Sequence, residues 1–192
     1  MDGLNLGSAM RLLRSVLLLL PLVMGACAHG SSATYLVEQA GPYRLDSGDV
    51  LRVSVYGDES LTNTYRIDDA GNLAMPLIGS VPARGSTTQD LTGRIASKLA
   101  AGYLRSPNVA VEVAEYRPFF IQGAVGSSGQ FAYVYGMTAR AAISAAGGFT
   151  ETASRDTVTI YRRQGNEMVK GNVGLDFPIL PGDTIVVSER WF

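Results

Sequence analysis

The chain has 192 residues, 46% hydrophobic and 17% charged, with 16 Lys and Arg against 17 Asp and Glu and a formal net charge of −1. This composition suits one or two packed domains and excludes a disordered or collagen-like chain; lacking a basic excess, it also excludes nucleic-acid binding as a main activity. A single cysteine cannot close an internal disulfide, and a single histidine cannot build the common zinc sites.

The N-terminus is organised as a secretory signal. Arg11 and Arg14 supply positive charge, "VLLLLPLVM" from Val16 to Met24 is a short apolar run, and Gly25-Ala26 precede Cys27. Interrupted by Pro21, the run is too short to cross a bilayer, which needs about twenty residues. Met24-Gly25-Ala26-Cys27 resembles the lipobox of bacterial lipoproteins, with Met where Leu or Val is usual. The resemblance implies a signal peptide over 1–26 and acylation of Cys27, with several acyl chains giving the stable anchoring that one chain cannot. Ala28, where an Asp would favour inner-membrane retention, implies delivery to the outer membrane. Residues 27–40 read as a lipidated flexible tether, and His29 as a solvated linker residue.

From Gly41 the pattern changes. "YRLDSGDVLRVSVYG" alternates apolar and polar residues, so Val50, Leu51, Val53 and Val55 predict a strand. "TYRID" and "LAMPLIG" flank Asp68-Asp69-Ala70-Gly71-Asn72, which predicts a hairpin turn. Ser86-Thr87-Thr88-Gln89 offers an S-x-x-Q capping box, and Leu91, Ile95, Leu99 and Tyr103 recur at helical spacing toward a core. Pro107 ends that region, and "NVAVEVAEY" from Asn108 alternates as a half-buried strand.

A second unit starts near Arg117-Pro118. "FFIQGAV" and "FAYVYG" read as strands around a Gly126–Gly129 turn, and a short helix follows with Thr138 as N-cap and Gly147-Gly148 as its stop. "TVTIYRRQG", "EMVKG" and "DTIVVSE" add three strands. The expected organisation is therefore α+β: a β-rich domain with one main helix over 41–116, then a second α+β domain over 117–192.

Asp46-Ser47-Gly48-Asp49 near the start is echoed by Leu180-Pro181-Gly182-Asp183 near the end. Both place Gly-Asp on a turn feeding a β-branched strand, where Gly permits positive φ and the carboxylate accepts turn N–H groups. Turn chemistry is thus the favoured role of Asp49 and Asp183, ahead of catalysis. The other carboxylate groupings, Asp58-Glu59, Asp68-Asp69 and Glu112 with Glu115, fall on turns or a strand face. Glycoside cleavage would need two carboxylates held across a sugar cleft. With His29 in the tether and Cys27 acylated, no nucleophile–histidine arrangement can form. We therefore expect no enzyme and no cofactor or metal site.

Taken in order, these motifs resemble the polysaccharide export (outer-membrane auxiliary, Wza-like) family. Tyr43, Leu45, Gly48, Asp49, Leu51, Val53 and Val55 fit its opening pattern, with Ser47 where Pro is usual and Pro181 keeping that residue in the second copy. Tyr65, Ile67, Asp68, Gly71 and the Pro76–Gly79 strand fit its continuation. The second unit is similar to the SLBB segment, a β-grasp-like module proposed to bind soluble ligands, through Gly123, Val125, Gly129, Tyr133, Gly136, Met137, Ala146, Gly147, Gly148 and Phe149.

The resemblance implies an oligomeric, ring-forming outer-membrane lipoprotein facing the periplasm that conducts capsular or exopolysaccharide across the envelope. It implies self-association and an inner-membrane polysaccharide co-polymerase as partner. Larger family members add further SLBB copies and a C-terminal amphipathic helix; this sequence ends at "VVSERWF", so a separate outer-membrane channel protein is an expected partner. Tyr43, Gly48, Asp49, Gly71, Pro181, Gly182 and Asp183 are expected to build structural turns. Gly123, Gly129, Tyr133, Gly147, Gly148, Arg162, Arg163, Trp191 and Phe192 are candidate ligand or interface residues. Arg155, Arg162 and Arg163 read as a solvated strand face able to meet an acidic polysaccharide. The alternatives are a lipid-anchored ligand-binding or partner-docking protein without a pore role and, more remotely, a glycan-cleaving enzyme.

Overall fold

The computed structural model describes residues 41–165 and 167–190, so the expected signal peptide and tether, with Cys27 and His29, and the pair Trp191 and Phe192 lie outside the described residues. In the first half, β1 (Val50–Val55) is the middle strand of an antiparallel sheet, flanked by β2 (Asn63–Arg66) and β5 (Val109–Glu115). Leu51, Val53 and Val55 of β1 and Val109 and Val111 of β5 turn inward. Helix α1 (Thr88–Ala100) buries Leu91, Ile95 and Leu99 in the same core, each contributing roughly 1.5–3 kcal/mol by leaving water. A separate hairpin, β3 (Asn72–Met75) with β4 (Gly79–Pro82), adds Leu73, Met75 and Val81 to that core.

Four local expectations are corrected here. The capping box of α1 sits one residue later: Thr87 Oγ1 accepts from the Asp90 N–H at 3.1 Å, and Asp90 Oδ2 accepts from the Thr87 N–H at 3.0 Å. Ser86 is drawn away because it is buried, with its carbonyl accepting from the Leu45 N–H at 2.9 Å and its hydroxyl from Arg94. Tyr103 lies beyond the helix end and is 54% exposed. The turn at Asp68–Asn72 forms, and a bridge pairs Ile67 with Leu73, but β2 and β3 then diverge into different sheets. Finally, Pro76-Leu77-Ile78 is the turn of the β3–β4 hairpin, not a strand.

The second half is a five-stranded mixed sheet in the order β7-β6-β10-β8-β9. Its strands are β6 (Phe119–Gly123), β7 (Gly129–Phe131), β8 (Thr157–Gln164), β9 (Glu167–Gly174) and β10 (Thr184–Val187). The hairpins β6–β7 and β8–β9 flank a centre where β10 runs parallel to β6 and antiparallel to β8. Helix α2 (Ala139–Ala145) covers one face, packing Ala142 and Ile143 against Phe119, Ile121, Ile160 and Ile185. Two hairpins around a parallel first–last pair with one helix across them is β-grasp-like topology, as the α+β expectation required. "FAYVYG" contributes only Phe131 to a strand; the rest is irregular.

Candidate functional site

The two Gly-Asp phrases fold into the same turn twice. The Asp49 N–H donates to the Asp46 carbonyl at 3.2 Å, and the Asp183 N–H to the Leu180 carbonyl at 3.1 Å. In return Asp49 Oδ2 accepts from the Asp46 N–H at 2.9 Å, and Asp183 Oδ2 from the Leu180 N–H at 2.7 Å. Gly48 at φ +94 and Gly182 at φ +86 occupy the left-handed region that a Cβ would strain. Each turn launches a strand buried between two neighbours, β1 in one half and β10 in the other. Pro181 sits at the position of Ser47.

Each carboxylate is then matched to an arginine. Arg162 grips Asp183 with Nε at 2.9 Å and Nη2 at 2.7 Å, the two-pronged geometry that makes such pairs strong. The Phe177 ring lies 5.6 Å from that guanidinium, and Nη2 also donates to the Pro178 carbonyl. Asp49 accepts from the Tyr43 hydroxyl at 2.7 Å, from the Arg117 N–H at 3.1 Å, and from Arg117 Nη1 at 3.4 Å. Asp49 is 0% exposed and Asp183 1%, so neither carboxylate reaches a substrate.

Arg117 and Pro118, between β5 and β6, bring the turns together. Arg117 Nη1 donates to the Tyr43 hydroxyl at 3.0 Å, and Nη2 lies 3.5 Å from Asp46. The Gly182 N–H donates to the Pro118 carbonyl at 2.9 Å, and a Cβ on Gly182 would stand 2.9 Å from Arg117 Nε. The arginine therefore lies against both turns. Beside it Tyr43, Tyr116 and Tyr133 form an edge-to-face ladder with ring centres 5.0 and 5.4 Å apart, each contact worth about 0.5–1.5 kcal/mol. Burial pushes the phenols of Tyr43, Tyr116 and Tyr133 above their ordinary range, Tyr43 furthest, so the Tyr43 hydroxyl stays protonated and donates a hydrogen bond to Asp49.

The remaining candidate residues are scattered rather than convergent. Gly71 closes the turn before β3, against Arg84, which reaches Asp46 at 3.0 Å and also contacts Ser47. Gly123 ends β6 where the chain presses on the Val187 carbonyl. Gly129 opens β7 at the surface, and Gly147 and Gly148 follow α2, with the Gly148 carbonyl accepting from the Gly126 N–H. Asp58 holds its turn by accepting from Ser60 and Leu61, and Asp68 does so from Asn72. Between α1 and β4 a groove opens over Gly93, but its cations are engaged: Arg94 donates to the Pro82 carbonyl and Lys98 to that of Ser80.

Arg162 is a correction: it does not belong to a solvated strand face. Along β8 the inward residues are Val158, Ile160 and Arg162, and the outward ones Thr159, Tyr161 and Arg163. Tyr133 likewise is buried in the core rather than presented at the surface. Arg163 is exposed, and Arg155 lies 6.0 Å from the Phe149 ring. The role of Arg117 escaped the sequence reading, because its partners lie 68 to 74 residues away. That of Arg162 was recoverable, since an arginine in the apolar phase of a strand needs a buried acid.

The fold and this joint define a two-module α+β protein whose second module is β-grasp-like. The profile of the family described as polysaccharide biosynthesis/export protein matches residues 37–114, and that of the SLBB domain matches residues 118–171. The chain belongs to the polysaccharide export family. It is 30% identical over 141 residues to the exopolysaccharide production protein ExoF of Rhizobium meliloti (strain 1021), covering 67% of this chain and 32% of ExoF. It is 27% identical over 160 residues to the polysialic acid transport protein KpsD of Escherichia coli, covering 77% and 28% of the two chains. It is 26% identical over 160 residues to the EPS I polysaccharide export outer membrane protein EpsA of Ralstonia solanacearum, covering 70% and 42%. The chain thus spans about a third of the length of the first of these relatives.

Proposed function

We propose that the chain is an outer-membrane lipoprotein, anchored through Cys27 and facing the periplasm, that assembles with copies of itself into a ring conducting capsular or exopolysaccharide across the envelope. One observation carries the reading: the export-family profile and the SLBB profile match in tandem along most of the chain. The relatives' names, which speak of production, transport and export of polysaccharides, support it. So do the buried carboxylates, which are committed to turns and an internal joint instead of a cleft. A conduit for a sliding hydrated polymer needs weak polar contacts and self-complementary subunits, not a reactive centre. Exposed sheet edges suit assembly, since an unpaired edge invites another chain, and β9 is such an edge, eight residues long. An inner-membrane co-polymerase and a separate outer-membrane channel complete the proposed route.

Deletion of the chromosomal copy tests the reading. Surface polysaccharide should disappear, return with the wild-type chain, and fail to return with Cys27→Ser, which removes the acylated thiol. Native mass spectrometry of the chain extracted in mild detergent should show a closed multimer. A strict monomer together with undiminished surface polysaccharide in the deletion strain would overturn the proposal.

A further inference from the structure

Helix α2 covers one face of the five-stranded sheet and leaves the other open. Strand register places Gln130, Phe120, Thr184, Tyr161 and Lys170 in one row across all five strands of that open face. A second row holds Gln122, Val186, Thr159 and Asn172. Arg163 follows beside Met168, which is 60% exposed. Phe120 is 43% exposed although it stands on the strand that anchors the core through Phe119 and Ile121.

The chemistry of this face is consistent from edge to edge. Strands lie about 4.8 Å apart, so Phe120 and Tyr161, separated by β10, stand about 10 Å apart. Two rings at that spacing, with amides and hydroxyls between and beside them, suit a chain of sugar rings. The C–H face of a pyranose packs on an aromatic ring, while its hydroxyls need donors and acceptors around the rim. Lys170 holds its ammonium 5.6 Å from the centre of the Tyr161 ring, poised over the same row. Arg163 and Lys170 are the charged residues at outward strand positions, and no carboxylate shares that phase. Among the described residues neither cation is in an ion pair.

We infer that the open face of the second sheet binds an extended, carboxylate-bearing polysaccharide, with Phe120 and Tyr161 as stacking platforms and Arg163 and Lys170 as its charge partners. The inference rests on the export reading and adds to it a surface and a charge class. A guanidinium and an ammonium at strand positions whose phase carries no carboxylate favour an anionic polymer over a neutral one of the same shape, and the attraction weakens with added salt. Contacts at a solvated face remain individually weak, which a moving polymer requires.

Affinity electrophoresis and calorimetry on the full chain in mild detergent, with polygalacturonate and neutral dextran as probes, test this. The expected result is binding of polygalacturonate that falls steeply between low and high salt, with no retention by dextran. Arg163→Gln with Lys170→Gln should weaken it at least tenfold, as should Tyr161→Ala, while the melting temperature of the double variant stays near wild type. Wild-type affinity in the double variant, equal binding of dextran, or a change in oligomeric mass with glycan affinity intact would overturn the inference. The deletion strain separates the two readings. Polygalacturonate left unbound while polysaccharide export still depends on the chain defeats only this inference. Normal export in the deletion strain defeats the export reading and leaves the measured binding to stand alone.

Discussion

Asp49 and Asp183 occupy equivalent positions in two like turns yet draw their arginines from opposite directions along the chain. Arg162 lies 21 residues before Asp183, on a neighbouring strand, whereas Arg117 lies 68 residues after Asp49, on the segment joining the two halves. The first pair is buried and two-pronged; the second is longer, and the Arg117 side chain is 23% exposed. The same turn is therefore locked inside one core and used as a joint at the edge of the other.

Replacing Arg162 by Leu strands the Asp183 carboxylate without its counter-charge. Breaking a buried pair from one side costs about 3–5 kcal/mol. Chemical denaturation should show a loss of that size, with the wild-type m-value. Adding Asp183→Leu should restore only part of it, because the Leu180 N–H then loses its acceptor. A single-variant loss below about 1 kcal/mol would contradict the pairing.

Arg117→Ala should be milder, about 1–2 kcal/mol, since Asp49 keeps the Tyr43 hydroxyl and the backbone N–H groups of Asp46 and residue 117. Its signature is local. Amide exchange should quicken at Asp46 and Arg117, whose N–H groups both donate to the Asp49 carboxylate that the guanidinium steadies, while the β8 and β9 amides keep their protection. Uniform acceleration over the whole chain would argue against a joint.

Gly123→Ala and Gly79→Ala form a matched pair. Both glycines have positive φ, but a Cβ at 123 would lie 2.1 Å from the Val187 carbonyl oxygen, while one at 79 meets nothing within 4 Å. Gly79→Ala should cost about 1 kcal/mol from backbone strain alone. Gly123→Ala should cost at least about 2 kcal/mol, because the backbone of β6 or β10 must move. Equal melting temperatures would refute the close approach of those strands.

Tyr43 sets an alkaline limit. Burial raises its phenol far above the ordinary value near 10, so the folded state disfavours the phenolate that the unfolded chain forms freely. Its contribution is complete below that ordinary value and is lost as the pH rises past it. Stability should therefore fall with pH above about 10, and Tyr43→Phe should flatten the fall while lowering stability at neutral pH by about 1 kcal/mol. Absorbance at the phenolate band should show this tyrosine ionising together with unfolding, not before it.

Much of this architecture is legible in the residues themselves. The alternation of β1, β5 and β8 and the helical spacing of Leu91, Ile95 and Leu99 each depend on neighbours in sequence, and the structure places them accordingly. The helix cap moved because Ser86 is held by Leu45 and Arg94, contacts that no local window contains. Pro76–Gly79 looked extended for want of knowing that β3 turns back on β4. At the joint, the Gly-Asp turns could be read directly, but Arg117 acquires meaning only once β5 and β6 have brought both turns to it.

Three residues, Tyr116, Arg117 and Pro118, separate β5 from β6, and all three are held: one by ring contacts on either side, one by charge, one by the Gly182 amide. Such a hinge has almost no slack. Turning one half against the other would have to break these contacts first, so any such rotation carries an energetic cost from its outset.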